Sequence, residues 1–200
     1  TGKDAYPDIR KNAPDYFKNA REVGLIKEIM RVYGYLPYVT DTHFGEYINW
    51  AWEWVDAVNI QKNYEDYKLQ CSRSKEDLRR IVEGKKHLKT WLKPSGERVI
   101  PIIEGILTDS KQQELAANLP NSEGLIENLP RDLVVECPAT VDKYGVHGVK
   151  LGIMPKGIAA LMNTQASVQD LCVEAALKGS RELALQALLA DPVVDSLQSA

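Results

Sequence analysis

Short apolar runs separated by turn residues constrain the fold of this chain more than any other feature. The second half of the sequence contains four such runs, namely QELAANLPN, GLIENLP, DLVVECPATVD and GVHGVKLG. Pro-Asn, Leu-Pro-Arg-Asp and Asp-Lys-Tyr-Gly separate the runs, and these residue types favour turns. The pattern predicts three or four antiparallel strands.

Helical periodicity dominates the first half. Apolar residues recur with mostly helical spacing from Pro14 onward, and Gly34 is expected to end that helix. A second helix is predicted from Thr42 to about Ile60, with an apolar face so wide that it should be buried or packed at an interface. A third is predicted to begin at a capping box that starts with Ser74.

Helical patterns return around the predicted strands. VIPIIEGILTD is expected to form a short apolar helix, because proline is tolerated in a first helical turn. Two further helices are predicted after Pro155, with Gly179 between them and the last ending before Asp191. The predicted fold class is therefore α+β, with helices packed on a small antiparallel sheet.

Composition narrows the class of protein. The chain of 200 residues has 44% hydrophobic and 26% charged residues, as ordinary globular proteins do. A net charge of −3 argues against a nucleic-acid partner, and no apolar run is long enough to span a membrane. The three cysteines form no CxxC pair, which fits a reducing compartment and predicts a cytoplasmic location.

One long stretch carries a family resemblance. Residues 116–155 resemble a string found in glycoside hydrolase family 4, N-P-N-x-G…L-P-x-D-x-V-V-E-x-P-x-x-V-D-x-x-G-x-H. The matching residues are Asn118, Pro120, Asn121, Gly124, Leu129, Pro130, Asp132, Val134, Val135, Glu136, Pro138, Val141, Asp142, Gly145 and His147. QDLCVEAALKG and the opening TGKDAYPDIR also resemble family segments, so the resemblance covers nearly the whole chain.

The resemblance implies an unusual glycosidase chemistry. In this family NAD+ oxidises the sugar at C3, a divalent metal ion (usually Mn2+) polarises the resulting ketone, and a protein base then removes the C2 proton. The aglycone leaves by elimination, and water adds back. The implied function is hydrolysis of an α-glycosidic bond in an α-glucoside or an α-uronide.

The resemblance also implies that the functional groups are divided between two domains. The whole chain, residues 1–200, would be the substrate-binding and oligomerisation domain, with a fold like the C-terminal domain of lactate and malate dehydrogenases. An N-terminal Rossmann domain and the metal ligands are expected outside this chain, so no cofactor or metal ligand is predicted within it. The isolated chain is expected to be inactive. A small carbohydrate, the Rossmann domain and a second copy of the protein are the expected partners.

Asp41 is the predicted catalytic residue. Residues 41–45 match a D-[ST]-x-x-G pattern of the family's α-glycosidases, in which the aspartate is the proposed proton-transfer group. A structural alternative stands beside this one, because an aspartate ahead of a predicted helix can cap its free N–H groups. The two roles are compatible.

Four residues are predicted to bind substrate: His43, Glu46, Tyr47 and Asn118. Each also has an ordinary structural interpretation. A histidine at a helix start can be solvated, an aromatic side chain on a helix can belong to the core, and an asparagine beside a proline can form a turn. Trp50, Trp52 and Trp54 are interpreted as packing residues, at a subunit interface as readily as in a sugar site.

Two other functions remain open from sequence alone. One is a 2-hydroxy-acid dehydrogenase-like catalytic domain, although the chain lacks a suitable His–Asp pair with an arginine. The other is a non-catalytic dimerisation module built on the tryptophan-rich helix. Within the family, DTHFGEY favours the glucosidase or uronidase branch over enzymes acting on sugar 6-phosphates, since no arginine or lysine cluster lies nearby.

Overall fold

The computed structural model describes residues 3–19, 23–37, 40–54, 57–90, 92 and 96–200, without the side chains of residues 19, 57–60, 63 and 90. The chain forms two compact units, one of Thr1–Gln70 with Ser167–Ala200 and the other of Cys71–Ala166. The α-helices are α1 (Tyr6–Asn19), α2 (Gly24–Tyr33), α3 (Asp41–Gly45), α4 (Ala57–Val82), α5 (Val99–Thr108), α6 (Lys156–Lys178) and α7 (Arg181–Ala190). The strands are β1 (Gln112–Pro120), β2 (Val134–Asp142) and β3 (Gly145–Gly148).

The strands form one antiparallel sheet in the order β1-β2-β3. Asn118 of β1 lies opposite Glu136 of β2, and Thr140 lies opposite His147 of β3. The α+β prediction is confirmed. GLIENLP is not a strand, however. It follows the short 3₁₀ helix Asn121–Glu123 as an irregular loop, with one bridge between Ile126 and Gly152.

The helices predicted from the second half of the sequence are confirmed. Pro101 lies in the first turn of α5, where its missing N–H costs no helical hydrogen bond. Gly179, with a φ of +59°, separates α6 from α7, and the Ser180 hydroxyl caps α7 by accepting a bond of 3.2 Å from the Leu183 N–H. None of the described helices is long and apolar enough to cross a membrane.

The helices predicted from the first half need three corrections. The Thr42–Ile60 helix is wrong, because α3 ends at Gly45 and a 3₁₀ helix, Ala51–Glu53, precedes α4. Gly45 weakens the helix at this point, because glycine is unfavourable inside helices. The turns that follow are closed by 3₁₀-type hydrogen bonds, which join residues three positions apart.

The capping box is also wrong, since α4 continues through Ser74, which lies among good helix formers. The remaining correction concerns the residues from Pro14 to Gly34. These belong to two helices, α1 and α2. Gly34, the predicted stop, caps α2 in the left-handed conformation.

The hydrophobic core of the second unit joins the sheet to the loop that follows β1. Its buried members are Leu125, Ile126, Leu129, Val135, Cys137 and Ala159. Asn121, fully buried at 0% exposure, fixes the loop above this core. Its Nδ2 donates to the carbonyls of Ile126, Leu129 and Pro130 at 2.9, 3.1 and 2.9 Å, and its Oδ1 accepts from the Ile126 N–H at 2.9 Å. The Asn121 side chain thus supplies hydrogen-bond partners for backbone groups of the loop that a neighbouring strand would otherwise have paired.

An ion pair ties the start of α5 to β1. Both oxygens of the buried Glu114 accept bonds of 2.8 Å from the Arg98 guanidinium, and Gln112 Nε2 donates to Oε1 at 2.9 Å. The Arg98 guanidinium holds the pKa of Glu114 below its usual range, against the opposing effect of burial.

This pair predicts a loss of stability in acid. The Glu114 pKa is lower in the folded protein than the value of about 4.3 in an unfolded chain, so the unfolded chain takes up the proton first. The stabilisation is complete above about pH 5 and is lost as the pH falls through the lower, folded pKa. We expect Glu114→Gln to flatten the fall in melting temperature between about pH 5 and pH 3, measured by circular dichroism. A variant with the same acid slope as the wild type would contradict this assignment.

Candidate functional site

The candidate site lies in the first unit, where α3 packs against α2. Asp41, the first residue of α3, is buried, with 4% of its surface exposed. Its Oδ1 accepts a hydrogen bond of 2.9 Å from the backbone N–H of Ile26, in the first turn of α2. Val23 precedes α2 and has no polar side chain that could cap it, so the aspartate supplies this bond from another segment.

The capping role of Asp41 therefore differs from the predicted one. The sequence predicted a cap for the helix that follows Asp41, but Thr40 occupies the cap position of α3 and Asp41 caps α2. The carboxylate lies at the positive end of the α2 dipole, where acidic side chains stabilise a helix.

The second oxygen of Asp41 faces a gap at Gly24. A Cβ built on Gly24 would lie 3.6 Å from Asp41 Oδ2 and 3.3 Å from Cε3 of Trp54. The carboxylate oxygen and the indole thus flank one small space, which exists because residue 24 has no side chain. Neither Gly24 nor Trp54 was among the predicted site residues, because nothing in their local sequence reveals that α2 and the Trp54 segment meet at Asp41.

Three of the predicted substrate-binding residues lie close to Asp41 in the chain. His43 is exposed on α3, and its Nδ1 lies 3.1 Å from the hydroxyl of Thr40, which is also 3.1 Å from the Thr42 hydroxyl. Glu46 and Tyr47 are exposed in the turn after α3, so the core interpretation of Tyr47 is wrong.

Asn118, the remaining predicted substrate-binding residue, lies in the second unit. It is exposed on β1, opposite Glu136. The first unit therefore contains Asp41, His43, Glu46 and Tyr47 on one continuous segment, and Asn118 belongs to a different part of the fold.

The described residues do not form a metal or dinucleotide site. No three of their His, Cys, Asp or Glu side chains come together as they would around a metal ion. The described strands form an antiparallel sheet of hairpin type, whereas a Rossmann dinucleotide site needs parallel strands and a glycine-rich turn before a helix. No catalytic step that depends on these groups is derived from this chain.

Known proteins resemble the chain over nearly its full length. Residues 1–194 match the family described as "Family 4 glycosyl hydrolase C-terminal domain". An α-glucosidase from Erwinia rhapontici is 38% identical over 230 aligned positions, which cover 96% of this chain and 48% of the relative. The chain thus spans about half the length of that curated relative.

Solved structures share the fold. A 6-phospho-α-glucosidase from gut microorganisms, in complex with NAD and Mn2+, matches 100% of this chain and 48% of its own with a TM-score of 0.72 at 19% identity. Another, in complex with NAD and glucose-6-phosphate, matches 62% of this chain and 28% of its own with a TM-score of 0.53 at 30% identity. On the match across residues 1–194, the chain belongs to glycoside hydrolase family 4 and corresponds to its C-terminal domain.

Proposed function

We propose that this chain is the substrate-binding half of a family 4 α-glycosidase that hydrolyses α-glucosides. The observation that carries the proposal is the family match across residues 1–194, and the α-glucosidase relative at 38% identity favours α-glucosides over α-uronides. The other half would be an N-terminal Rossmann domain. The relative is about twice as long as this chain, which leaves room for such a domain.

The redox group and the metal ion would be held mainly by that other half. A structure with 30% identity contains NAD, which supports NAD as the cofactor of the whole enzyme, and membership of the family supports a divalent ion such as Mn2+. When bound, NAD+ would supply oxidation of the sugar at C3 and the metal ion would supply polarisation of the carbonyl formed there. The isolated chain would then be inactive.

This chain would supply the proton acceptor. Once C3 is a carbonyl, the adjacent C2–H bond is acidic, and its proton passes to a carboxylate oxygen of Asp41. The electron pair of that bond moves towards the C3 carbonyl oxygen. In the elimination that follows, the C1–O bond to the aglycone breaks and its electrons leave with the aglycone oxygen. Water then adds to the double bond between C1 and C2, with its hydroxyl at C1 and a proton returned to C2. NADH, when bound, would return the hydride to C3, which regenerates NAD+ and releases the sugar.

The remaining predicted residues would orient the sugar. His43, Glu46 and Tyr47 are exposed within six residues of Asp41 and would bind hydroxyl groups of the sugar. The three cysteines form no disulfide, which is consistent with the proposed cytoplasmic location. A homo-oligomer is proposed as the assembled form.

A substrate panel tests the proposal. The whole enzyme, supplied with NAD+, Mn2+ and a reductant, is assayed on p-nitrophenyl α-glucoside, its α-glucuronide and α-galacturonide counterparts, and its 6-phosphate. We expect turnover of the α-glucoside, abolished when NAD+ is removed. Oxidation of a 2-hydroxy acid without release of nitrophenol from any glycoside would instead support the dehydrogenase alternative.

A further inference from the structure

Trp54 is half-exposed beside the proposed catalytic carboxylate, and we infer that its indole is the surface on which the sugar ring of the substrate packs. This inference rests on the proposed function, because it assigns a binding residue to the same site. The indole is 46% exposed, although it follows a segment that buries Ile48 and Ala51 to 3% each. Ile48 and Ala51 hold the segment in place through their burial, whereas the indole keeps a surface that a ligand can contact.

Gly24 brings the indole and the carboxylate together. A methyl group at residue 24 would lie 3.3 Å from the Trp54 ring and 3.6 Å from Asp41 Oδ2, which is closer to the ring than most side chains allow. A methyl group at the first helical position of α2 would therefore require the indole to shift by a few tenths of an ångström. This geometry places a large apolar surface next to the oxygen that would accept the proton.

A sugar ring has the matching chemistry. One face of a pyranose exposes several C–H groups, which pack on an aromatic face, while its hydroxyl groups need polar partners. Ligand sites of this kind combine apolar or aromatic walls with a few polar groups that fix orientation. Because the indole and Asp41 Oδ2 both lie within 4 Å of the position of a Cβ on Gly24, a ring packed on Trp54 would lie beside Asp41.

Trp52 provides the matched control. It belongs to the same short segment and is 76% exposed, yet it does not share the contact with Gly24. If exposure of an aromatic side chain were enough, the two tryptophans would contribute equally to substrate binding. Because only Trp54 lies beside Asp41, we expect Trp54 to contribute more to substrate binding than Trp52.

Steady-state kinetics of the whole enzyme with p-nitrophenyl α-glucoside test the inference. We expect Trp54→Ala to raise KM about tenfold with a much smaller change in kcat, because binding contacts are lost while Asp41 remains. Trp54→Phe, which keeps a flat apolar ring, should recover most of the lost affinity. Gly24→Ala should raise KM less than Trp54→Ala does, since its methyl group would shift the indole by only a few tenths of an ångström. Trp52→Ala should leave KM within about twofold of the wild type.

Two outcomes would overturn the inference. One is an unchanged KM in Trp54→Ala together with a lower melting temperature, which would make the indole a packing residue only. The other is an equal rise in KM for Trp52→Ala, which would remove the special position beside Asp41. Failure of the proposed function gives a different result, since the wild-type enzyme itself would then release no nitrophenol.

Discussion

Replacing Asn121 with alanine is expected to lower the free energy of unfolding by about 3–5 kcal/mol. The amide makes four hydrogen bonds, of which three go to backbone carbonyls and one comes from the Ile126 N–H. Ile126 and Leu129 are 5% and 6% exposed, so water cannot replace the lost partners without opening the core. Each buried backbone group left without a partner costs about 1–3 kcal/mol.

Urea denaturation followed by circular dichroism measures this effect. Asn118→Ala is the matched control, because Asn118 is an exposed asparagine on β1, three residues before Asn121, and we expect it to change the free energy by less than about 0.5 kcal/mol. Asn121→Asp should also destabilise, since an ionised carboxylate would face three carbonyl oxygens that need a donor. A loss below about 1 kcal/mol in Asn121→Ala would contradict the role assigned to this side chain.

Replacing Asp41 with asparagine in the whole enzyme is expected to lower kcat by about 10²–10⁴-fold, the range typical of a lost general base. The asparagine oxygen can still accept the hydrogen bond from the Ile26 N–H, so the cap on α2 is retained. The melting temperature should therefore stay close to that of the wild type. The variant separates the two roles of Asp41, because only the carboxylate can take up a proton from C2.

Asp41→Ala removes both roles and supplies the comparison. It should lose activity as the asparagine variant does and, in addition, destabilise the protein by about 0.5–2 kcal/mol through the uncapped helix. Asp15→Asn is the matched control for removing a carboxylate, since Asp15 is exposed on α1 and pairs with Lys18. An active Asp41→Asn enzyme would leave Asp41 with its capping role alone.

The fold class could be predicted because its signals are local. Short runs bounded by turn residues predicted the sheet, and proline and glycine positions predicted the limits of α5, α6 and α7. GLIENLP has strand composition but is a loop, because its backbone is held by the Asn121 side chain instead of a neighbouring strand. Composition cannot reveal that kind of long-range partner.

The sequence suggested candidate site residues, which stay predictions, but it could not suggest how they are arranged. The family resemblance placed Asp41 in a D-[ST]-x-x-G pattern, and the structure puts its carboxylate at the start of α2. That contact joins residues 15 positions apart, and no helical or strand periodicity encodes it. The tryptophans were interpreted as packing residues because aromatic side chains are common in cores and interfaces, whereas Trp52 and Trp54 are exposed.

The central claim is that this domain removes the C2 proton of a glycoside, and the fate of that hydrogen tests it most directly. The whole enzyme is incubated in D2O with an α-glucoside, NAD+ and Mn2+, and the released sugar is examined by proton NMR. We expect deuterium at C2 of the product, and at least about a hundredfold less product in the same time from Asp41→Asn. A released sugar that keeps its original hydrogen at C2 would contradict the account.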